Sequence, residues 1–162
     1  MRIWKIVRII AESRYGIHDL SRTRLDAGSQ LPRFNMPLEL GLFLGAKYYG
    51  SKAHQQKAAV IFDVDRYRYQ IFCSDIAGQD IRAHQGSEQA LIRHVRDALA
   101  TWRPEARLPS GSVIHAEYRR FVRRLPRMAS RASLRVRELT FNDLTRLVDE
   151  WLVAEPGLSA AG

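Results

Sequence analysis

Two acids, and the segments that carry them, are the residues of this chain with the clearest chemistry to offer. Asp19 ends the short apolar run within Arg14-Tyr-Gly-Ile-His-Asp-Leu-Ser21. Glu39 falls in the first turn of a helix launched by Leu31-Pro-Arg-Phe-Asn-Met-Pro-Leu-Glu-Leu-Gly41. A carboxylate just past the carboxyl end of a strand is where open α/β sheets keep their ligand chemistry. The two segments together point to a nucleotide-handling site.

The elements that must position these acids follow from pattern. Ile3, Ile6, Val7 and Ile10 recur at helical spacing between Lys5, Arg8 and Glu12, so residues 3–13 read as an amphipathic helix. Tyr15–Leu20 reads as a buried parallel strand. Ser21–Phe34 is a polar loop with Gly28 and Pro32. Asn35 reads as an N-cap, with Pro37 in the first turn, where a missing N–H costs nothing. The helix it opens is apolar on most faces and stops near Gly50. Lys57–Asp63 is the clearest strand, a β-branched and aromatic run ending in an acid. Arg66–Phe72 is aromatic and basic, a short helix or a loop, and Asp80–His84 is a third strand. Ser87 caps a helix that turns Ala90, Leu91, Val95, Ala98, Leu99 and Trp102 inward. Arg103–Gly111 is a linker by composition. A basic helical stretch, 112–132, follows. Thr140 and Asp143 form a capping box ahead of a last helix that buries Phe141, Leu144, Leu147, Val148 and Trp151. Helix, strand, helix, strand, helix is the alternation of a doubly wound α/β sheet, here without the usual opening strand.

The totals narrow the function classes. A chain of 162 residues suits one domain with an appended helical piece, and 46% apolar content is that of a globular protein. No apolar run approaches the ~20 residues that cross a bilayer. Charge interrupts the apolar residues of Met1-Arg-Ile-Trp-Lys-Ile-Val-Arg8, unlike a secretory signal. The single Cys73 excludes an intrachain disulfide and a zinc-ligand cluster, and the expected compartment is the cytoplasm. The net charge is +9, and of 26 basic residues only Lys5, Lys47, Lys52 and Lys57 are lysine, which leaves 22 arginines. From Arg103 to Arg137 ten arginines face two acids, Glu105 and Glu117. An arginine skew can follow from a GC-rich genome, so a generic basic surface is favoured over a dedicated nucleic-acid face. No P-loop, dinucleotide-binding glycine fingerprint, zinc-protease motif or nucleophile elbow is present.

His18-Asp-Leu-Ser-Arg22 and Leu31–Gly41 resemble signatures of bacterial proteins with a TIR-like or nucleoside-deoxyribosyltransferase-like domain. Ser74-Asp-Ile-Ala-Gly-Gln-Asp-Ile81 is similar to a third segment in one uncharacterised branch of them. The resemblance covers about residues 3–155. It implies a small parallel Rossmann-like (flavodoxin-like) sheet with flanking helices over 1–105. That domain is N-terminally incomplete, because Met1 falls where the pattern reaches its first or second helix. A helical C-terminal extension (106–156) and a disordered tail (157–162) follow. The resemblance also implies a function, an N-glycosidase acting on NAD or a nucleoside, or a deoxyribosyltransferase-like enzyme. Glu39 is the catalytic carboxylate in that reading, stabilising positive charge at the sugar carbon or attacking it. Asp19 would bind ribose hydroxyls, Ser21, Arg22 and Arg33 would contact phosphate or sugar, and Asn35 would orient Glu39 or the base. Asp75, Gln79 and Asp80, around Gly78, form a further candidate loop. No metal or tightly bound cofactor is implied, and NAD or a nucleoside enters as substrate.

Plainer roles stand beside these. The helix macrodipole alone favours a glutamate where Glu39 lies, by ~0.3–1 kcal/mol. Asp19 can pair with an arginine, and His18 can be a satisfied neighbour of the sheet. An incomplete sheet with an open strand edge would favour self-association or a protein partner, as a non-catalytic module. Nucleic-acid binding through Arg119–Arg131 is a third, less favoured reading, and no membrane is expected.

Overall fold

The computed structural model describes residues 1–23, 27–28, 30, 32 and 34–154. Its elements run α1 (Arg2–Glu12), β1 (Tyr15–Asp19), α2 (Asn35–Tyr49), α3 (Lys52–Gln55), β2 (Ala58–Asp63), β3 (Ile81–Ala83), α4 (Glu88–Trp102), α5 (Gly111–Arg131) and α6 (Phe141–Ala154). Short 3-10 turns lie at Arg68–Ile71, Ser74–Ile76 and Val136–Glu138. The three strands form one parallel sheet in chain order, β1-β2-β3. The fold is α/β and Rossmann-like, as the alternation of the sequence predicts.

By its contacts the chain divides between Val95 and Arg96, inside α4. In the first unit, Gly16, His18, Ile61 and Ile81 lie on one sheet face and Ile17, Phe62 and Arg82 on the other, by register and alternation. The first face packs on α2: Leu20, Leu40, Ile61, Tyr69 and Ile76 form the core cluster. β1 is less buried than its apolar sequence suggests, because Ile17 is half-exposed at the sheet edge. Gly16 is a packing requirement. A Cβ there would stand 2.8 Å from His18 Nε2 and 2.9 Å from the Phe43 ring.

Two cations, buried Lys57 and half-buried Arg68, tie the elements together. Lys57, at the foot of β2, donates from Nζ to Ile10 O (2.6 Å) and to Ser13 O, at the carboxyl end of α1. There the helix dipole welcomes a positive charge. At the other end of β2, Asp63 has no solvent exposure. Its Oδ1 accepts from Val64 N–H (2.7 Å), Arg68 Nε (2.7 Å) and Arg68 Nη2 (2.6 Å). Arg68 also donates to Leu20 O (2.7 Å) and Thr23 O (3.1 Å), and its guanidinium lies 5.0 Å from the Phe72 ring centre.

Two helix starts can be compared with expectation. Phe34, not Asn35, takes the cap position of α2. Its carbonyl accepts the Leu38 N–H (3.0 Å), and Asn35 is already helical and exposed. The cause is Pro37, which lacks one of the two N–H groups that an Asn35 side chain would cap. Ser87 does cap α4, accepting from Ala90 N–H at 3.2 Å.

In the second unit, Arg96 holds the linker by donating to Leu108 O and Pro109 O. Leu147 and Trp151 of α6 are buried, as is Ala129 of α5, and the Phe121 and Trp151 rings meet edge-on at 6.0 Å. Thr140 and Asp143 form the expected capping box, with bonds of 2.6–3.2 Å in both directions. These bonds from Thr140 hold the Asp143 carboxyl below its ordinary pKa. Phe141 is exposed rather than buried, because it sits at the free start of α6, ahead of the turns that pack.

Removing one half of the Asp63–Arg68 pair strands a buried charge. Arg68→Met is expected to cost about 3–5 kcal/mol in urea unfolding. Asp63→Leu combined with Arg68→Met should recover at least half of that loss, since no lone charge then remains.

Candidate functional site

In the first unit a concavity of about 940 Å³ opens along β3. That is within the size range of small-molecule sites. Ile81, Arg82 and Ala83 form its floor. Asp65, Arg66, Tyr67 and Tyr69, from the chain after β2, form one wall. His84, Gln85 and Ser87 lead into the other, completed by Arg93 and His94 of α4. It lies at the carboxyl ends of the strands, where the first unit's loops gather.

Two of its residues hold unusual backbone. Tyr67 (φ 62°) and Gln85 (φ 52°) are non-glycine residues in the left-handed region. Such conformations cost of order 1–3 kcal/mol and persist only where the surroundings enforce them. At Tyr67 the enforcing neighbour is the Asp63–Arg68 pair, which pins both ends of the turn. Gln85 is followed by Gly86, also left-handed (φ 72°), and this turn brings the Gly86 N–H to His84 Nδ1 at 3.0 Å.

That bond fixes the chemistry of His84. An Nδ1 that accepts a hydrogen bond leaves the proton of the neutral ring on Nε2. Nε2 faces Asp19 Oδ1 at 3.6 Å, and Asp19 is itself oriented by accepting the Ser21 N–H at 2.9 Å. The sequence-flagged acid at the end of β1 therefore meets a histidine from the end of β3, across the end of β2.

The cleft is electropositive. Arg82 is matched, donating to both oxygens of Asp80 (2.9 and 2.8 Å) and to His94 O. Arg66 and Arg93 have no ion pair among the described residues, and Asp65 is the one acid lining the cleft.

The other sequence candidates scatter. Glu39 is half-buried and lines a separate pocket of about 220 Å³ between α1, β1 and α2, with Tyr15, Gly16, His18, Met36 and Phe43. Among the described residues no arginine lines it. Asp19 shares neither that pocket nor any contact with Glu39 among the described residues. Arg22 is exposed and has no ion pair among the described residues, Arg33 lies outside them, and exposed Asn35 lines neither concavity. Gln79 borders the cleft and donates to Tyr48 Oη at 3.2 Å. Asp75 is exposed, and its charge adds to burial in pushing the Cys73 thiol up, the larger cause being burial. Among the described residues no group of three or more His, Cys, Asp or Glu side chains could hold a metal ion, and no helix is long and apolar enough to cross a membrane. His84 and Arg93 escaped the sequence reading. The one local signal was a histidine followed by Gln-Gly directly after a short strand.

His18 is the anomaly of the smaller pocket. It is only 6% exposed, sits edge-on to Phe43 at 5.2 Å, and neither ring nitrogen has a hydrogen-bond partner among the described residues. It is a sheet neighbour, but not a satisfied one. Burial lowers its pKa to about 4 from 6.5. Between those values the unfolded chain binds a proton that the folded chain refuses, so stability present above pH 6.5 is lost as pH falls toward 4. At pH 5 the loss from this group amounts to about 2 kcal/mol. His18→Phe keeps the ring and removes both orphaned nitrogens. Urea midpoints at pH 7 and pH 5 should converge in this variant relative to the parent; an unchanged gap would exonerate His18. No protein-family model, curated protein or solved structure matches this chain.

Proposed function

We propose that the chain is a nucleotide-binding domain whose ligand places its phosphates in the cleft along β3. The observation that supports this most directly is the pair Arg66 and Arg93, two guanidiniums with no ion pair among the described residues, on the wall of a 940 Å³ cleft. A guanidinium presents a planar fork that matches a phosphate, and it keeps its charge at any working pH. Tyr67, largely exposed, offers a ring for a base.

Calorimetric titration with ATP and with NAD tests the reading. Binding is expected, and Arg66→Ala with Arg93→Ala should weaken it at least tenfold, while an unphosphorylated nucleoside binds far more weakly to the parent. Equal affinity in parent and double variant would remove the cleft from consideration.

A second reading gives Glu39 the chemistry of an N-glycosidase. It draws on the resemblance to TIR-like and deoxyribosyltransferase-like domains, and on one structural observation: Glu39 has no ion pair among the described residues and borders a pocket. A carboxylate so placed is available to a developing oxocarbenium ion. At about 220 Å³ the pocket is below the usual ~300 Å³ of a ligand site, sized for a sugar ring rather than a whole nucleoside. Incubation with NAD and with deoxynucleosides, followed by chromatography for free base, is the assay. Release that Glu39→Gln abolishes supports the reading, and release that survives the substitution excludes Glu39 from it.

A further inference from the structure

The arginines of α5 are sorted by the helix itself. At 100° per residue, Arg119, Arg120, Arg123, Arg124, Arg127 and Arg131 all fall within an arc of about 140°. Between Arg119 and Arg131, Ser130 is the one other residue in that arc. All six are exposed. The opposite side of α5 carries Phe121, Leu125 and Ala129. Ala129 has no solvent exposure, and Phe121 packs edge-on against Trp151 of α6. A generic basic composition would scatter charge around the helix; here it is confined to one face.

Most of this charge is unspent. Arg120 pairs with Glu117 at 2.6 Å and lies over the Trp151 ring at 5.7 Å. Arg123, Arg124, Arg127 and Arg131 have no ion pair among the described residues. Glu150 of α6 lines a groove with Arg124 and Arg131, which leaves Arg123 and Arg127 as the centre of the positive face. From Arg119 to Arg131 the face runs about 18 Å at 1.5 Å per residue.

We infer that this face of α5 binds the phosphate backbone of double-stranded nucleic acid without reading its sequence. Charge complementarity selects the partner. A duplex carries about one negative charge per 1.7 Å of axis, so 18 Å of it offers about ten phosphates to four unpaired guanidiniums. A membrane surface is the wrong occupant, because an interfacial helix inserts apolar side chains, and the arginine arc holds none. An acidic protein is disfavoured because the arc holds no aromatic or aliphatic anchor of the kind that carries protein–protein affinity. Sequence-independence follows from the same inventory. Apart from Ser130 there is no side chain beside the arginines, and no Asn or Gln to pair with a base edge.

Fluorescence anisotropy with the full chain and two labelled DNA duplexes of unrelated sequence tests the inference. Both duplexes should bind with the same affinity within about twofold. With about four phosphates neutralised, log affinity should fall with log salt at a slope of about −3 to −4, or roughly a hundredfold between 50 and 200 mM. The triple variant Arg123→Gln, Arg127→Gln, Arg131→Gln should lose at least tenfold in affinity and about three in slope, with an unchanged circular dichroism spectrum because all three side chains are exposed. The double variant Arg66→Ala, Arg93→Ala should bind the duplex as the parent does, which separates this surface from the cleft along β3. No binding at 50 mM salt, an unaltered slope in the triple variant, loss in the double variant alone, or preference for vesicles of anionic phosphatidylglycerol over the duplex would each overturn it.

Discussion

The first unit hangs on one desolvated ion pair. Asp63 ends the central strand in a place no water reaches, and a lone carboxylate there would be ruinous. Arg68 makes it tolerable by giving Oδ1 two donors, and it also donates to Leu20 O and Thr23 O. The guanidinium thus links the end of β2, the chain after β1 and the turn that starts at Tyr67. That turn bends back through a left-handed residue, which only an enforced geometry sustains. The wall of the arginine-lined cleft is therefore a consequence of a charge buried in the sheet. Buried pairs of this kind are weak sources of net stability, and their usual return is a unique arrangement. Here that arrangement is the conformation of the chain between β2 and β3.

The sheet also explains why the candidate groups part into two places. α2 packs on the face that carries Gly16, His18 and Ile61, and its Glu39 looks into a small, mostly apolar pocket against α1 and β1. The guanidiniums gather at the opposite edge, along β3. The strands follow chain order, so no reversal of order opens a crevice in the middle of the sheet. Ligand space consequently forms at an edge, against a strand of three residues, while the rule that such space lies at the carboxyl ends still holds.

What the sequence made legible was local. The runs 57–63 and 80–84, the Ser87 cap and the Thr140–Asp143 box are patterns in which every participant lies within a few residues, and they appear where expected. Asp19 could be singled out because an apolar run stops on an acid. Its partner could not, since His84 lies far along the chain and reaches Asp19 only through the register that aligns Asp19 with Phe62 and Phe62 with Arg82. The same limit hid Asp63. An acid that ends a strand gives no sign of being sealed by Arg68 or open to a ligand. The Asn35 cap failed for a different reason: Pro37 was credited with costing nothing, although its missing N–H is one that the cap would have used.

Arginine count alone says almost nothing in a chain with so many. Arg68, Arg82 and Arg96 are structural, each donating to backbone carbonyls and to a carboxylate as well. They contribute to the net charge of +9 but not to any outward field of consequence, since their fields are matched nearby. The residues that shape the field have no ion pair among the described residues, as with Arg66 and Arg93 in the first unit and Arg123, Arg124, Arg127 and Arg131 in the second. Composition cannot make that division, because it depends on which carbonyls and acids the fold brings within reach. Once it is made, the charge is no longer generic. One part lines a concavity of a size for a small anion-bearing molecule, and the other lies along about 18 Å of an exposed helix face. The geometry thus assigns the two sets of guanidiniums to partners of different dimensions, from the same residue type.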